Sequence, residues 1–333
     1  MQKKKTYRQM NTAVILSETQ QASLQAQAFD TDAVVELFLQ QQDCKESSRA
    51  LYRRTLRQFF AWVRRTGRML NAMNRADILQ YRDGIISGAA MEDGKGRSPL
   101  TAAAYLTAVK LFYTWLESVG AYPNIAASVK MPERANKFRR EPLNNAQAAA
   151  LCENAAQGGN LRDNAIVNLL LRTGMRTIEV VRANVEDLKT KAGTHVLYVQ
   201  GKGKQDKSNF VILSPKCYTA LQAYLATRTD TTPTAPLFTC DSNNNKGGRM
   251  TTRTISHIAK EHLQAIGLDS REYTAHSLRH TFGCSMLEET GDLHATQLAM
   301  RHANPGTTEI YTYHIDEMRR LRAAAENRLD NLF

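Results

Sequence analysis

A chain of 333 residues is long enough for two domains, each burying a core of its own. Its formal net charge of +12 and sequence pI near 9.5 call for a polyanionic partner, and no apolar run approaches a membrane span, so nucleic acid is favoured over lipid. The five cysteines, Cys44, Cys152, Cys217, Cys240 and Cys284, are odd in number and lack paired metal-ligand spacing, which argues for reduced thiols.

Residues 1–29 are rich in Gln and Ser, with Lys3, Lys4, Lys5 and Arg8, and read as a flexible basic arm. The basic start has no apolar stretch behind it, so no secretory signal is expected and the chain is placed in the cytoplasm, associated with the nucleoid. Residues 30–126 read as an all-α, DNA-binding domain of four helices. From Thr31, taken as an N-cap, Val34, Val35, Phe38 and Leu39 mark a short amphipathic helix. A longer one starts at 47 or 48 and runs to 65, with Tyr52, Leu56, Phe59 and Val63 at helical spacing, until Gly67 stops it. Its other faces carry Arg49, Arg53, Arg54 and Arg57, a density of guanidinium that a DNA backbone would use. Helices at 76–87 and 101–119 flank a glycine-rich loop, the second with Tyr105, Val109, Phe112 and Leu116 inward.

Periodicity vanishes over 127–142, where prolines alternate with Lys130, Lys137, Arg139 and Arg140; this reads as a basic connector between domains that meets phosphate. Residues 143–333 then alternate helices with a small β element. Helices are expected at 145–155, 161–173, 177–182, 215–228, 251–266, 275–290, 293–300 and 316–329. The runs 195–200 and 208–213 are β-branched and alternating, joined by a Gly-Lys turn, which signals a hairpin.

The chemistry sits in this second domain. Breaking a phosphodiester without a metal needs a nucleophile, cations on the non-bridging oxygens, and a proton donor for the leaving oxygen. Arg176 and Arg279 suit the second task, since a planar guanidinium matches phosphate geometry and stays charged. His276 lies three residues before Arg279, so on a helix the two share a face and can meet one phosphate. His280, the next residue after Arg279, points about a quarter-turn away and reads as a core or surface histidine. There is no P-loop and no carboxylate cluster of two-metal type; no metal and no cofactor is expected.

The order Arg176, Gly201-Lys202-Gly203-Lys204, His276-Ser-Leu-Arg279, His302 and Tyr311 resembles the catalytic set of the tyrosine recombinases, the phage-integrase-type site-specific recombinases. The resemblance covers about residues 30–320, strongly in the second domain and by layout in the first. It implies Lys202 as general acid in the hairpin turn, His276 and His302 as hydrogen-bond donors to the phosphate, and Tyr311 as nucleophile, chosen over Tyr313 by its spacing of nine from His302. His276 would also assist proton transfer from the tyrosine. Glu179 matches a supporting carboxylate, its plain alternative being a helix-face acid. Lys204 and Lys207 are assigned to DNA phosphates. One departure is Arg301, where a glycine commonly precedes the histidine.

The implied fold is mainly α with a small β-sheet: a four-helix, SAM-like core-binding domain and a mixed α/β catalytic domain, together a C-shaped clamp on DNA. The implied reaction is site-specific recombination through a 3′-phosphotyrosyl intermediate and a Holliday junction. Its partners would be double-stranded core sites with inverted half-sites, a homo-tetramer in synapsis that is monomer or dimer beforehand, and in some settings an accessory DNA-bending protein; no membrane is involved. The C-terminal helix would contact a neighbouring protomer or its own domain. Two other readings share the pattern: type IB topoisomerase-like strand relaxation, and a catalytically idle DNA-binding protein on the same scaffold.

Overall fold

The computed structural model describes residues 30–133, 140–201, 206–302, 304, 306–324 and 327. The arm 1–29 and the candidate residues Lys137, Arg139, Lys202 and Lys204 lie outside them. Among the described residues the chain is mainly helical with one small sheet, and its contacts divide it into two units, Met1–Ala135 and Asn136–Phe333.

Among the described residues, the first unit packs four helices: α1 (Thr31–Gln40), α2 (Glu46–Arg65), α3 (Arg75–Ser87) and α4 (Pro99–Ser118). Asp30, not Thr31, is the N-cap of α1, its carboxylate accepting from the amides of Asp32 and Ala33. Ser98 caps α4 with Pro99 just inside, so that helix starts two residues before the expected 101. The core is aromatic. Phe59 meets Tyr81 edge-on at 4.9 Å and Phe38 meets Phe112 at 5.6 Å, the geometry that ring quadrupoles favour.

The arginine-rich face of α2 is not simply solvated. Arg53 grips Glu36 of α1 with two hydrogen bonds of 2.6 and 2.8 Å, Arg57 reaches Asp32 at 3.1 Å, and Arg49 donates to the Gln42 carbonyl at 3.2 Å. Three of the four α2 guanidiniums assigned to DNA therefore also tie α2 to α1 or its following loop, while Arg54 stands exposed. Lys130, beyond α4, is exposed too.

In the second unit, α5 (Asn145–Gln157), α6 (Leu161–Thr173), α7 (Thr177–Arg182), α8 (Pro215–Leu225), α9 (Thr252–Ala265) and α10 (Ala275–Thr290) surround the main core, and α11 (Leu293–Met300) and α12 (Gly306–Ala323) join α10 in a smaller cluster. Helix α6 is the axis of the main core, burying Ile166, Val167, Leu169 and Leu170 against α5, α8 and α10. The sheet is antiparallel, in the order β1 (Leu188–Lys191), β2 (Thr194–Val199), β3 (Asn209–Ile212), with Leu197 opposite both Leu188 and Val211.

Two expectations need correction. The hairpin is the larger part of a three-stranded sheet, because Leu-Lys-Thr-Lys also pairs; as an edge strand largely open to solvent, it lacks the apolar alternation that flags a strand. The last helix begins at Gly306 rather than 316, so Tyr311 lies within a helix and not before one.

Candidate active site

Helix α6 ends at Gly174, whose φ of +58° is the left-handed cap conformation. A Cβ there would also stand 2.4 Å from the Phe282 ring, so glycine is required twice over. This abrupt stop puts Arg176 directly at the N-cap of α7, its side chain partly exposed. Glu179, one turn on, is fully buried and reaches back: one oxygen accepts from the Arg176 amide at 2.9 Å, the other from its guanidinium at 2.8 Å.

The first of those oxygens also accepts from Arg301 at 2.9 Å, so Glu179 lies between two guanidiniums. Burial alone would raise its pKa, but Arg301, the Arg176 amide and the Arg176 and Arg279 cations outweigh that and hold the carboxyl below its usual range. Glu179 is thus not a helix-face acid; the fold spends it on orienting arginines. Arg301 caps α11 with a φ of +56°, which explains why a glycine suits this position, and its guanidinium is almost wholly buried. It also donates to the Ala299 carbonyl at 2.6 Å, while its Nε has no partner among the described residues. The sequence departure is therefore a third cation beside the expected pair.

Helix α10 carries the other arginine. Arg279 is buried, donating to the Gly174 carbonyl and, at 2.6 Å, to that of Met300, which fixes the fork between α6 and α11. Burial first, then Arg176 and Arg301, lower its pKa to about 9, so it keeps its charge at neutral pH. His276, one turn earlier, is exposed, with Thr274 capping the helix beneath it. Arg140, from the connector, donates to the Arg271 carbonyl, and its charge is felt at His276.

His302 follows Arg301 and is buried; its Nδ1 lies 2.9 Å from the hydroxyl of Thr308, which leaves Nε2 for another partner. Burial, then Arg279, Arg176 and Arg301, push its pKa down to about 3, so the ring is neutral. It lies parallel to the ring of Tyr311, with centroids 6.2 Å apart. Tyr311 itself is 2% exposed whereas Tyr313, pointing the other way along α12, is 63% exposed. Burial raises the Tyr311 pKa, with Arg279 partly offsetting it.

Two participants escaped the sequence reading. His280, there a core or surface histidine, has Nδ1 3.2 Å from the Tyr311 hydroxyl. Gly283, one turn on, leaves the space that the Tyr311 ring fills: a Cβ would sit 2.7 Å from it and from the Met300 sulfur. Neither signal is local, because both depend on α12 crossing α10. Lys207 differs from its assignment as well. Its ammonium lies 2.5 Å from the buried carboxylate of Asp187, at the foot of the β2–β3 connection. Among the described residues no group of side chains has the makeup of a metal site, and no helix is long and apolar enough to cross a membrane.

Residues 141–318 match the phage integrase family. Curated relatives include the tyrosine recombinase XerC of Pelobacter propionicus, 33% identical over 79% of this chain and 83% of the relative. The tyrosine recombinase XerD of Listeria innocua is 27% identical, with 80% and 88% covered. Among solved structures, the XerH site-specific recombinase bound to palindromic difH superposes with a TM-score of 0.69 at 18% identity, covering 94% of this chain and 90% of that one. The Tn1549 transposon integrase in complex with a circular intermediate DNA gives 0.64 at 19% identity, covering 86% and 99%. At those identities the two structural likenesses speak for the fold.

Proposed function

Since this chain belongs to the phage integrase family and is a tyrosine-type site-specific recombinase that breaks and rejoins DNA, we propose that Tyr311 is its nucleophile. The phenol oxygen attacks the scissile phosphorus, the bond to the 5′ oxygen breaks, and a 3′-phosphotyrosyl ester forms. The observation that carries this reading is the placing of the Tyr311 hydroxyl on a buried face shared with Arg279, His280 and His302.

The charge that builds on the non-bridging oxygens is met by Arg176 and Arg279, both positioned by backbone and carboxylate contacts before any substrate arrives. Glu179 holds Arg176 in place, and Arg301 balances the carboxylate. His276, exposed beside them, and the free nitrogen of His302 donate to the phosphate. Lys202, in the turn between β2 and β3, gives its proton to the departing 5′ oxygen. What supports this role is its position next to Gly201, whose carbonyl is 3.5 Å from the Arg182 guanidinium and so near α7.

The ester conserves the energy of the broken bond, so a 5′ hydroxyl from a partner duplex can reverse the step without an energy source. Two sites and four protomers then exchange strands one pair at a time through a Holliday junction, on core sites with inverted half-sites. Arg49, Arg53, Arg54, Arg57, Lys130 and Arg140 contribute phosphate contacts that position the duplex.

The test is covalent capture on nicked duplexes from the DNA flanking the protein's own gene. Wild-type protein and Tyr313→Phe are expected to give a denaturant-resistant adduct, and Tyr311→Phe none. An adduct that persists in Tyr311→Phe would move the nucleophile elsewhere.

A further inference from the structure

Removing the tyrosine proton is a separate task from binding the phosphate, and the family resemblance gives both to His276. We propose that His280 is the general base of strand cleavage, its Nδ1 taking the proton from the Tyr311 hydroxyl as that oxygen bonds to phosphorus; this rests on Tyr311 being the nucleophile. The argument is geometric. Nδ1 is 3.2 Å from the phenol oxygen, at the edge of hydrogen-bonding distance, with ring centroids 5.8 Å apart and planes inclined by 53°. With the imidazole neutral and its proton on Nε2, Nδ1 is an acceptor. The neighbours suit the task less well. Arg279 stays charged and cannot accept, His302 stacks parallel at 6.2 Å with Nδ1 engaged by Thr308, and His276, one turn earlier on the same helix, is exposed.

The surroundings keep this base unprotonated until it is needed. His276 and Arg279 of α10, His314 and Tyr311 of α12, and His302 after α11 face the imidazole. Burial, then the positive neighbours, hold its pKa down at about 4, so it is neutral at pH 7. A bound DNA phosphate adds negative charge beside it and raises its basicity, bringing the base toward working range only on substrate. The step balances. The O–H bond of Tyr311 breaks and its proton goes to Nδ1, the O–P bond forms, the bond from phosphorus to the 5′ oxygen breaks, and Lys202 protonates that oxygen. In rejoining, the imidazolium returns its proton to the departing phenolate.

The experiment is single-turnover adduct formation between pH 6 and 9 on the nicked duplex that wild-type protein captures, using His280→Asn, His280→Ala and Tyr311→Phe. Asparagine keeps an acceptor oxygen near the Nδ1 position but is not basic, so it separates proton transfer from packing; melting and DNA affinity confirm that each variant folds and binds. The expected result is a rate at pH 7 lower by about a hundredfold or more in both His280 variants, rising about tenfold per pH unit as hydroxide supplies the missing base. Added imidazole then rescues His280→Ala. A wild-type rate in His280→Asn, or a deficit that is independent of pH and untouched by imidazole, overturns the proposal. An adduct in Tyr311→Phe instead sinks the nucleophile assignment, a failure this series tells apart.

Discussion

Gly283 has no side chain, and the ring of Tyr311 occupies the space where one would be. A methyl group there would stand 2.7 Å from the ring and from the Met300 sulfur, closer than any carbon can approach, so one of them must move. Gly283→Ala is therefore expected to lower stability by about 1–3 kcal/mol through overpacking. It should slow adduct formation by about tenfold or more, since displacing a reacting atom by an ångström is costly in rate. Paired thermal melts and single-turnover assays check this, and a variant with unchanged cleavage would show that the ring need not sit where it does. At this scale the sequence was partly legible. Arg176 and Arg279 stand out by residue type, and His302 and Tyr311 through the family resemblance. Gly283 and His280 do not, because their partner is about thirty residues away and a helical wheel shows only a residue's own helix. Arg301 was visible as an oddity, but its meaning needed Glu179, which lies on another helix.

Elements were easiest to read where periodicity was strong. Helix α6, with its capping Asn160 and terminal Gly174, falls where the pattern puts it. Strand β1 is hard to read because lysines and a threonine make most of it, and the start of α12 because a glycine and two threonines, weak helix formers, open it. The connection from β2 to β3 illustrates a related limit. A lysine beside a Gly-Lys turn reads as a phosphate contact, yet Lys207 is spoken for by Asp187, which is buried and also accepts from the Asn184 amide at 2.6 Å. Lys207→Gln should thus cost stability, on the order of 1–3 kcal/mol, by leaving a buried carboxylate short of a partner. The salt dependence of DNA binding should change little. Denaturant melts and affinity measured at several salt concentrations separate the two roles: a pure phosphate contact would flatten the salt slope by about one charge and leave the melt alone.

For the molecule as a whole, the two cores are built on different chemistry: interlocked aromatic rings in the first unit, aliphatic side chains around α6 in the second. Each is closed by its own helices. A fragment of residues 30–133 is accordingly expected to melt cooperatively by itself, monitored by circular dichroism, with affinity for duplex DNA that falls steeply with salt. A broad, non-cooperative melt would mean that it borrows stability from the rest of the chain. Length and the lapse in periodicity between the helical sets suggest two domains, but not which side chains fill each interior. Within the second unit lies a smaller cluster of Cys284, Leu287, Met300, Tyr311 and Ile315, which fastens α12 to α10. Tyr311, the proposed nucleophile, is thus also structural mortar. Selection acting on that cluster for tighter packing and selection acting for faster cleavage pull on one side chain in opposite directions, so a thermally hardened descendant of this enzyme would tend to be a slower one.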